Sequence, residues 1–207
     1  MSEDVIPRGL PAPLPPGERL IWQGRPSPLG LARRAFHLDL VAAYFALLAL
    51  VEAVSAGRPA AALPVLGLGA GGLAVLLALA WCAARTTTYS LTDRRLMLRI
   101  GIALPITVNL PLREIEAAGL RRFPDGSGEI PLLLKAGTRL AYLHLWPHAR
   151  PWRLARPEPM LRALPEADEA AARIAAALAA AHGRPVPDWS PAPTPAALPG
   201  RLAAAGS

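Results

Sequence analysis

The chain has 207 residues, of which 53% are apolar and only 18% are charged, and its mean hydropathy is +0.31. These values favour a membrane protein of one or two domains over an ordinary soluble domain. The formal net charge is +7, and every basic residue except Lys135 is an arginine. The single cysteine, Cys82, excludes an internal disulfide, and no Cys or His spacing is typical of a zinc or iron–sulfur site.

The N-terminal region is predicted to be mostly extended. Residues 1–16 are rich in proline, which predicts a disordered leader. Residues 17–36 form a predicted cytoplasmic segment, in which Leu20–Gln23 have the composition of a short strand that Gly24 and Pro26 end. We expect this strand to join a sheet formed later in the chain. No apolar core typical of a signal peptide occurs in this region.

Two apolar runs separated by a short turn dominate residues 37–85. The first predicts a helix from about Leu38 to Ala56, and the second, Ala60–Ala84, has no charged side chain. A helix needs about 20 apolar residues to cross a bilayer, so the runs predict a transmembrane hairpin with its turn at Ser55–Pro59. Arginines flank the open ends of this hairpin and only one lies in the turn. By the positive-inside rule, both termini are therefore predicted to be cytoplasmic.

The second run also contains glycines at the spacing of a dinucleotide-binding fingerprint. Gly67, Gly69 and Gly72 form G-x-G-x-x-G, and Asp93 lies near the position of a ribose-binding acid. That site needs an amphipathic helix after the glycines, whereas this run is apolar on every face. Asp93 is better explained as a turn residue, and Gly67-x-x-x-Gly71 as a candidate helix-packing motif. The neighbour of this motif is left open between the first helix, a second copy and a client protein.

From residue 86 the apolar pattern has the period of two that is typical of strands. Turn residues separate six such segments, which predicts a small antiparallel sandwich or partly open barrel. The segments are Thr86–Leu91, Arg95–Ile100, Ile106–Leu110, Glu114–Leu120, Ile130–Leu134 and Arg139–Leu145. A helix from Glu166 to His182 is expected to cap this domain of residues 86–182. The proline-rich residues 183–207 predict a disordered tail.

A segment rich in arginine and tryptophan connects the last predicted strand to this helix. It supplies candidate contacts for a partner or for lipid, since both residue types are frequent in the headgroup layer and in interface hot spots. The candidates are Arg150, Trp152, Arg153 and Arg156. A plain connecting loop packed on the sheet is the alternative. His144 and His148 have no third ligand nearby, which argues against a metal site.

No catalytic arrangement is evident in the sequence. Ser90 and Ser127 have no His or Asp context, and no Walker sequence occurs. We therefore predict that the chain is not an enzyme and uses no cofactor or metal. The basic residues lie near the predicted membrane ends rather than on a recognised nucleic-acid-binding module, so nucleic acid is not an expected partner.

Three stretches of the chain resemble a known family. They are Gly17–His37, Thr86–Arg121 with the segment YSLTDRRLMLRIG, and Ala141–Pro165. Together with the hairpin, they resemble the bacterial pleckstrin-homology (bPH2-type) membrane proteins and, within these, the photosynthetic complex assembly proteins of purple bacteria. The resemblance implies a transmembrane hairpin with a PH-like antiparallel β-barrel or sandwich, located in the inner (intracytoplasmic) membrane.

The resemblance also implies a non-enzymatic assembly factor for the photosynthetic reaction centre, with light-harvesting complex 1 as a further client. The implied partners are subunits of these complexes and membrane lipids, and a homodimer is left open. The family offers no catalytic residues to transfer. The alternative is a generic bPH2-type protein that binds anionic lipid or another membrane partner. A pigment-carrying role through His37 is disfavoured, because a ligand at this helix end would be exposed to solvent.

Overall fold

A computed structural model of the chain describes residues 13–102, 104–135, 145–149 and 157–184. The predicted leader lies outside these residues up to position 12, and the predicted tail from position 185 onward. The described elements, in chain order, are β1 (Leu20–Gly24), α1 (Pro28–Arg34), α2 (Leu38–Ser55), α3 (Leu63–Thr86), β2 (Thr88–Thr92), β3 (Arg95–Ile100), β4 (Ile106–Pro111), β5 (Ile115–Ala118), β6 (Arg121–Arg122), β7 (Gly128–Leu134), β8 (Met160–Leu164) and α4 (Ala167–His182).

The helices α2 and α3 form the predicted hairpin, with a short 3₁₀ turn at Pro59–Ala62 between them. Pro64 lies in the first turn of α3, where its missing N–H has no intrahelical partner to lose. Both helices are long and apolar enough to span a membrane, with mean hydropathies of 1.9 and 2.2. Only 6% and 11% of the two apolar stretches are buried within the chain. Most of their apolar surface is therefore not covered by the described part of the chain.

The first sheet has the strand order β1-β2-β3-β4, and each pair is antiparallel. β1 precedes the hairpin in sequence and pairs with β2, which follows it. The prediction that Leu20–Gln23 join a later sheet is therefore confirmed. Asp93 lies between β2 and β3, where its carboxylate accepts a hydrogen bond from the Arg19 backbone N–H at 3.0 Å. This position agrees with the turn role predicted for Asp93.

The second sheet is built around β7, which pairs with β5, β6 and β8. The sequence pattern does not predict β8, which lies at the end of the arginine- and tryptophan-rich segment. The predicted strand Arg139–Leu145 lies outside the described residues except for Leu145. Side chains of both sheets and of α4 share one buried core, so the predicted antiparallel domain with its capping helix is confirmed. The described strands form two sheets and do not close into a barrel.

The short helix α1, which the sequence pattern does not predict, connects the hairpin to the second sheet. Leu31 packs in a small buried cluster with Ala83 and Ala84 of α3 and Ala163 of β8. The approach is so close that a Cβ at Gly30 would lie 2.9 Å from the Cβ of Ala163. A larger residue than glycine would therefore push α1 away from β8. This contact fixes the last turns of α3 against the second sheet.

Candidate functional site

The predicted contact residues of the arginine- and tryptophan-rich segment lie outside the described part of the chain. These residues are Arg150, Trp152, Arg153 and Arg156. On either side of them, Ala149 and Pro159 pair in an isolated antiparallel bridge, and β8 begins at the next residue. The described chain therefore places both flanks of this segment beside the second sheet. The contact role of the four residues stays a prediction.

The predicted helix-packing residues Gly67 and Gly71 lie on the exposed side of α3. A Cβ added at either position would meet no atom within 4 Å. Gly69 instead faces α2, where an added Cβ would lie 2.8 Å from the Cβ of Phe45. Of the three neighbours left open by the sequence, the first helix is thus the partner of Gly69. Gly67 and Gly71 are left accessible to a helix from another molecule.

A cleft of about 620 Å³ opens where the helical part meets the second sheet. The end of α1 and the start of α2 form one wall, and residues from the second sheet form the other. Four arginines and a histidine line it: Arg33, Arg34, His37, Arg121 and Arg162. Glu129 is the acidic residue of the lining, and the remaining lining is glycine or apolar: Gly119, Leu120, Phe123, Pro131 and Met160. The cleft is therefore cationic and amphipathic.

Arg162 and Glu129 form a buried ion pair in the cleft wall. The Arg162 Nε lies 3.2 Å from the Glu129 Oε1, and the two side chains are only 8% and 5% exposed. The remaining guanidinium nitrogens donate to two backbone carbonyl oxygens, of Pro147 at 3.0 Å and of Arg34 at 2.7 Å. One side chain thus connects β8 to β7, to the Pro147 turn and to the end of α1. Each of its three guanidinium nitrogens therefore donates to a group of the chain.

Arg34 lies at the rim of the cleft and is also engaged. Its guanidinium donates to both carboxylate oxygens of Asp125, at 3.0 and 2.8 Å, and to the Ser127 hydroxyl. It also stacks over the Phe123 ring at 3.5 Å from the centroid. The pKa of Asp125 is lowered to about 2, first by the hydrogen bond from Ser127 and then by that from Arg34. The carboxylate is therefore ionised at neutral pH and neutralises Arg34.

Arg121 makes fewer contacts within the described chain than Arg34 and Arg162 do. Its guanidinium lies 5.1 Å from the Phe123 ring centroid, and within the described residues it has no ion pair. Arg33 makes only an exposed contact with Asp39 at 3.4 Å, a kind of pair that contributes little free energy. His37 is exposed and adopts a left-handed backbone conformation (φ 53°) just before α2. Arg33 and Arg121 give the cleft its available positive charge, and all three side chains supply hydrogen-bond donors.

A buried polar chain lies behind the cleft wall. The Tyr89 hydroxyl accepts from the Arg162 backbone N–H at 3.2 Å and lies 2.7 Å from the His148 Nδ1, while the His148 Nε2 lies 3.1 Å from the Thr87 Oγ1. Burial raises the pKa of Tyr89, so its hydroxyl keeps the proton and donates to Nδ1. Burial, aided by Arg162, lowers the pKa of His148 to about 3. His148 is therefore neutral, and Nε2–H donates to Thr87.

The histidine and serine side chains near the cleft hydrogen-bond to other groups of the chain. Both nitrogens of His148 are occupied, and among the described residues no group of three His, Cys, Asp or Glu could hold a metal ion. The Ser127 hydroxyl donates to Asp125 at 2.6 Å.

The cleft arginines are not predicted from the sequence as one site, because they come from distant segments. The doublets Arg33-Arg34 and Arg121-Arg122 were the available signal, but nothing in the sequence shows that they share a cleft.

The comparisons with known proteins give a family for the chain. The sequence profile of the family described as Bacterial PH domain matches residues 38–178, from the start of α2 into α4. The chain is also 38% identical, over 186 residues, to an uncharacterised 23.7 kDa protein in the puhA 5′ region of Rhodobacter capsulatus. That alignment covers 86% of this chain and 87% of the relative. No solved structure matches the chain. The chain belongs to the bacterial PH domain family.

Proposed function

We propose that the chain is a non-enzymatic assembly factor of the PuhB type, which acts on the photosynthetic reaction centre and on light-harvesting complex 1. The observation that carries this proposal is the Rhodobacter capsulatus relative in the puhA 5′ region, which aligns with 86% of this chain. Such a position is consistent with a gene of the photosynthesis operon. Because the alignment extends over nearly the whole chain, it supports a shared role for the hairpin and the sheets together.

The proposed mechanism uses the hairpin as an anchor and as a packing surface. In this proposal α2 and α3 cross the inner membrane, and both termini and the sheets lie on the cytoplasmic side. Gly67 and Gly71 are four residues apart on the face of α3 that α2 leaves uncovered. Small residues at this spacing let a second helix approach closely in lipid. A transmembrane helix of a reaction-centre subunit would be held there transiently during assembly.

Co-purification from photosynthetic membranes in mild detergent tests the packing step. We expect the wild-type chain to retain reaction-centre subunits and the double variant Gly67→Leu/Gly71→Leu to lose them. The matched control places the same two leucines at Ala43 and Ala46, which are exposed positions of α2. Absence of these subunits with the wild-type chain would contradict the proposal. Equal loss with both double variants would reject the α3 face as the contact.

Anionic lipid is a second candidate ligand, which the cationic and amphipathic cleft favours. Arg33, His37 and Arg121 supply donors for a phosphate group, and the apolar lining suits the glycerol and upper acyl chains. The cleft also lies at the start of α2, which is the headgroup level if this helix spans the membrane. A lipid there would be held between the hairpin and the second sheet.

Retention of acidic phospholipid by the full-length chain tests this second candidate. After purification in neutral detergent, bound lipid is measured by mass spectrometry for the wild-type chain, Arg121→Gln and Arg122→Gln. Arg122 is the matched control, because it is adjacent and exposed but pairs with Asp168 and does not line the cleft. We expect only Arg121→Gln to lose the lipid. Equal retention by all three proteins would exclude the cleft as the lipid site.

A further inference from the structure

The turn between β3 and β4 is apolar and exposed. The sequence from Ile100 to Leu112 contains no charged residue. Within it Ile102, Leu104 and Ile106 are 44%, 80% and 41% exposed. Single exposed aliphatic residues are ordinary, but three within one turn form a patch that needs an explanation. We call Ile102, Leu104 and Ile106 the hairpin tip.

The strand register places the hairpin tip at the same end of the first sheet as the last turn of α3. Thr88, two residues after the end of α3, pairs with Arg99. The pair Ile100–Ile106 lies one step further along β3, beyond the start of β2, and the tip continues in that direction. Cα atoms of β3 also lie within 8 Å of Cα atoms of α3. The tip and the last turn of α3 therefore lie at the same end of the strands of the first sheet.

The other end of the first sheet is polar and charged. There the β2–β3 turn carries Asp93 and Arg94, both exposed. A strand rises about 3.3 Å per residue, so the length of β3 separates this charged turn from the apolar tip by roughly 20 Å. The sheet therefore has one polar end and one apolar end, and the apolar end is the one beside the hairpin.

The tip is a closed turn. Gly101 has φ 125°, and a Cβ at this position would clash with the Leu104 carbonyl oxygen. Only glycine fits this backbone conformation without strain. The turn thus holds Leu104, whose exposed fraction is the largest among the exposed large apolar residues of the described chain.

The end of α3 has the residues expected at a membrane surface. The Arg85 guanidinium lies over the Trp81 ring, 4.1 Å from its centroid, and both residues are exposed. Tryptophan and arginine are typical of the boundary between acyl chains and headgroups. If α3 spans the membrane, this boundary lies near the last turn of α3. The hairpin tip is close to the same level, because it extends past Thr88 toward that turn.

We propose that the hairpin tip inserts into the boundary between acyl chains and headgroups, as a third membrane contact beside α2 and α3. Its partner is the lipid bilayer itself, which would cover the three aliphatic side chains. This contact rests on the proposed membrane location of the hairpin. It would add apolar contact area between the first sheet and the bilayer, next to the last turn of α3.

Site-specific fluorescence of the full-length chain in vesicles tests the insertion. Cys82 is replaced by alanine, and a single cysteine labelled with an environment-sensitive dye is placed at position 104, 94 or 68. The substitutions are Leu104→Cys at the tip, Arg94→Cys at the polar end and Leu68→Cys at an exposed position in the first half of α3. Quenching by lipid-borne nitroxide is compared with quenching by iodide present on both sides of the bilayer.

We expect the dye at position 104 to be blue-shifted and quenched mainly by nitroxide, as at position 68, and the dye at position 94 to be quenched mainly by iodide. If position 68 is quenched by nitroxide while position 104 behaves like position 94, the tip does not insert although the hairpin does. If position 68 is itself quenched by iodide, α3 is not in lipid, and the membrane location fails together with the inserted tip. If the tip inserts but no reaction-centre subunits co-purify with the chain, only the proposed assembly role is contradicted.

Discussion

Replacing Arg162 by methionine is expected to destabilise the sheets more than any surface substitution. Methionine keeps most of the aliphatic length of the side chain but removes the guanidinium. Glu129 then loses its ion-pair partner, and the carbonyl oxygens of Pro147 and Arg34 each lose a donor. Because Arg162 and Glu129 are 8% and 5% exposed, water does not replace these contacts without local opening.

The expected magnitude follows from burial rather than from distance. Removing one partner of a buried ion pair costs about 3–5 kcal/mol, because it leaves an uncompensated charge in the interior. The ion pair between Arg122 and Asp168 is shorter, 2.6 Å against 3.2 Å, but its side chains are 45% and 64% exposed. An exposed pair of this kind contributes about 0–1 kcal/mol. Arg122→Met is therefore the matched control for Arg162→Met.

Urea denaturation of the full-length chain in mild detergent measures both costs. Trp22 packs against the core of the sheets, so its fluorescence reports their unfolding once the other four tryptophans are replaced by phenylalanine in all compared proteins. The double variant Arg162→Met/Glu129→Gln should recover part of the lost stability, since the glutamine carries no charge to leave unpaired. Equal free energies of unfolding for Arg162→Met and Arg122→Met would refute the reasoning. So would a double variant no more stable than Arg162→Met alone.

Three further predictions concern the buried histidine, the hairpin and the β3–β4 turn. The pKa of His148 is about 3 in the folded chain and about 6.5 in an unfolded one, so the unfolded state binds the extra proton between these values. The free energy of unfolding should therefore be fully retained above pH 6.5 and should fall below it by up to about 1.4 kcal/mol per pH unit. In His148→Gln, the free energy of unfolding measured with urea should depend less steeply on pH. Gly69→Leu should lower the thermal stability of the hairpin in detergent, measured by circular dichroism, because its Cβ would lie 2.8 Å from Phe45, whereas Gly67→Leu should not. Gly101→Ala should cost about 1–3 kcal/mol in the same urea assay, because the positive φ and the Leu104 carbonyl oxygen both oppose a Cβ; an unchanged midpoint would contradict this.

The elements that local patterns determine are predicted well from the sequence. The apolar runs give α2 and α3 to within a few residues, because a long uncharged stretch has few alternatives to a helix. The alternation of apolar and polar residues gives β2, β3 and β4. That β1 joins a later sheet is also predicted, because the predicted hairpin places it on the same side as the later strands, but its pairing with β2 is seen only in the structure. For the helices and for β2, β3 and β4 the signal lies within the element itself.

The elements that depend on distant contacts are not predicted. β8 contains Arg162, which a local pattern assigns to a polar loop. The ion pair with Glu129 and the hydrogen bonds to two backbone carbonyl oxygens allow its burial. Ala163 has a positive φ of 50°, which no alanine-containing motif suggests. The short helix α1 has seven residues, too few to show a helical period. Its position depends on contacts with Ala83 and with β8.

The candidate site shows the same division. Gly67 and Gly71 are found from their spacing, but only the structure shows that they face away from α2 while Gly69 faces it. The cleft combines Arg33 with Arg121, which are far apart in sequence and meet only through the packing of α1 on the second sheet. The hairpin tip is a run of apolar residues in the sequence, and its location beside α3 follows from strand register alone.

The content of photosynthetic reaction centres in a strain that lacks the gene for this chain tests the central claim most directly. Reaction-centre absorbance and total bacteriochlorophyll are measured in membranes of the parent strain, the deletion strain and the deletion strain complemented with the wild-type gene. The account predicts a lower reaction-centre content in the deletion strain, restored by complementation, while pigment synthesis continues. A deletion strain with the reaction-centre content of its parent would contradict the proposed assembly function.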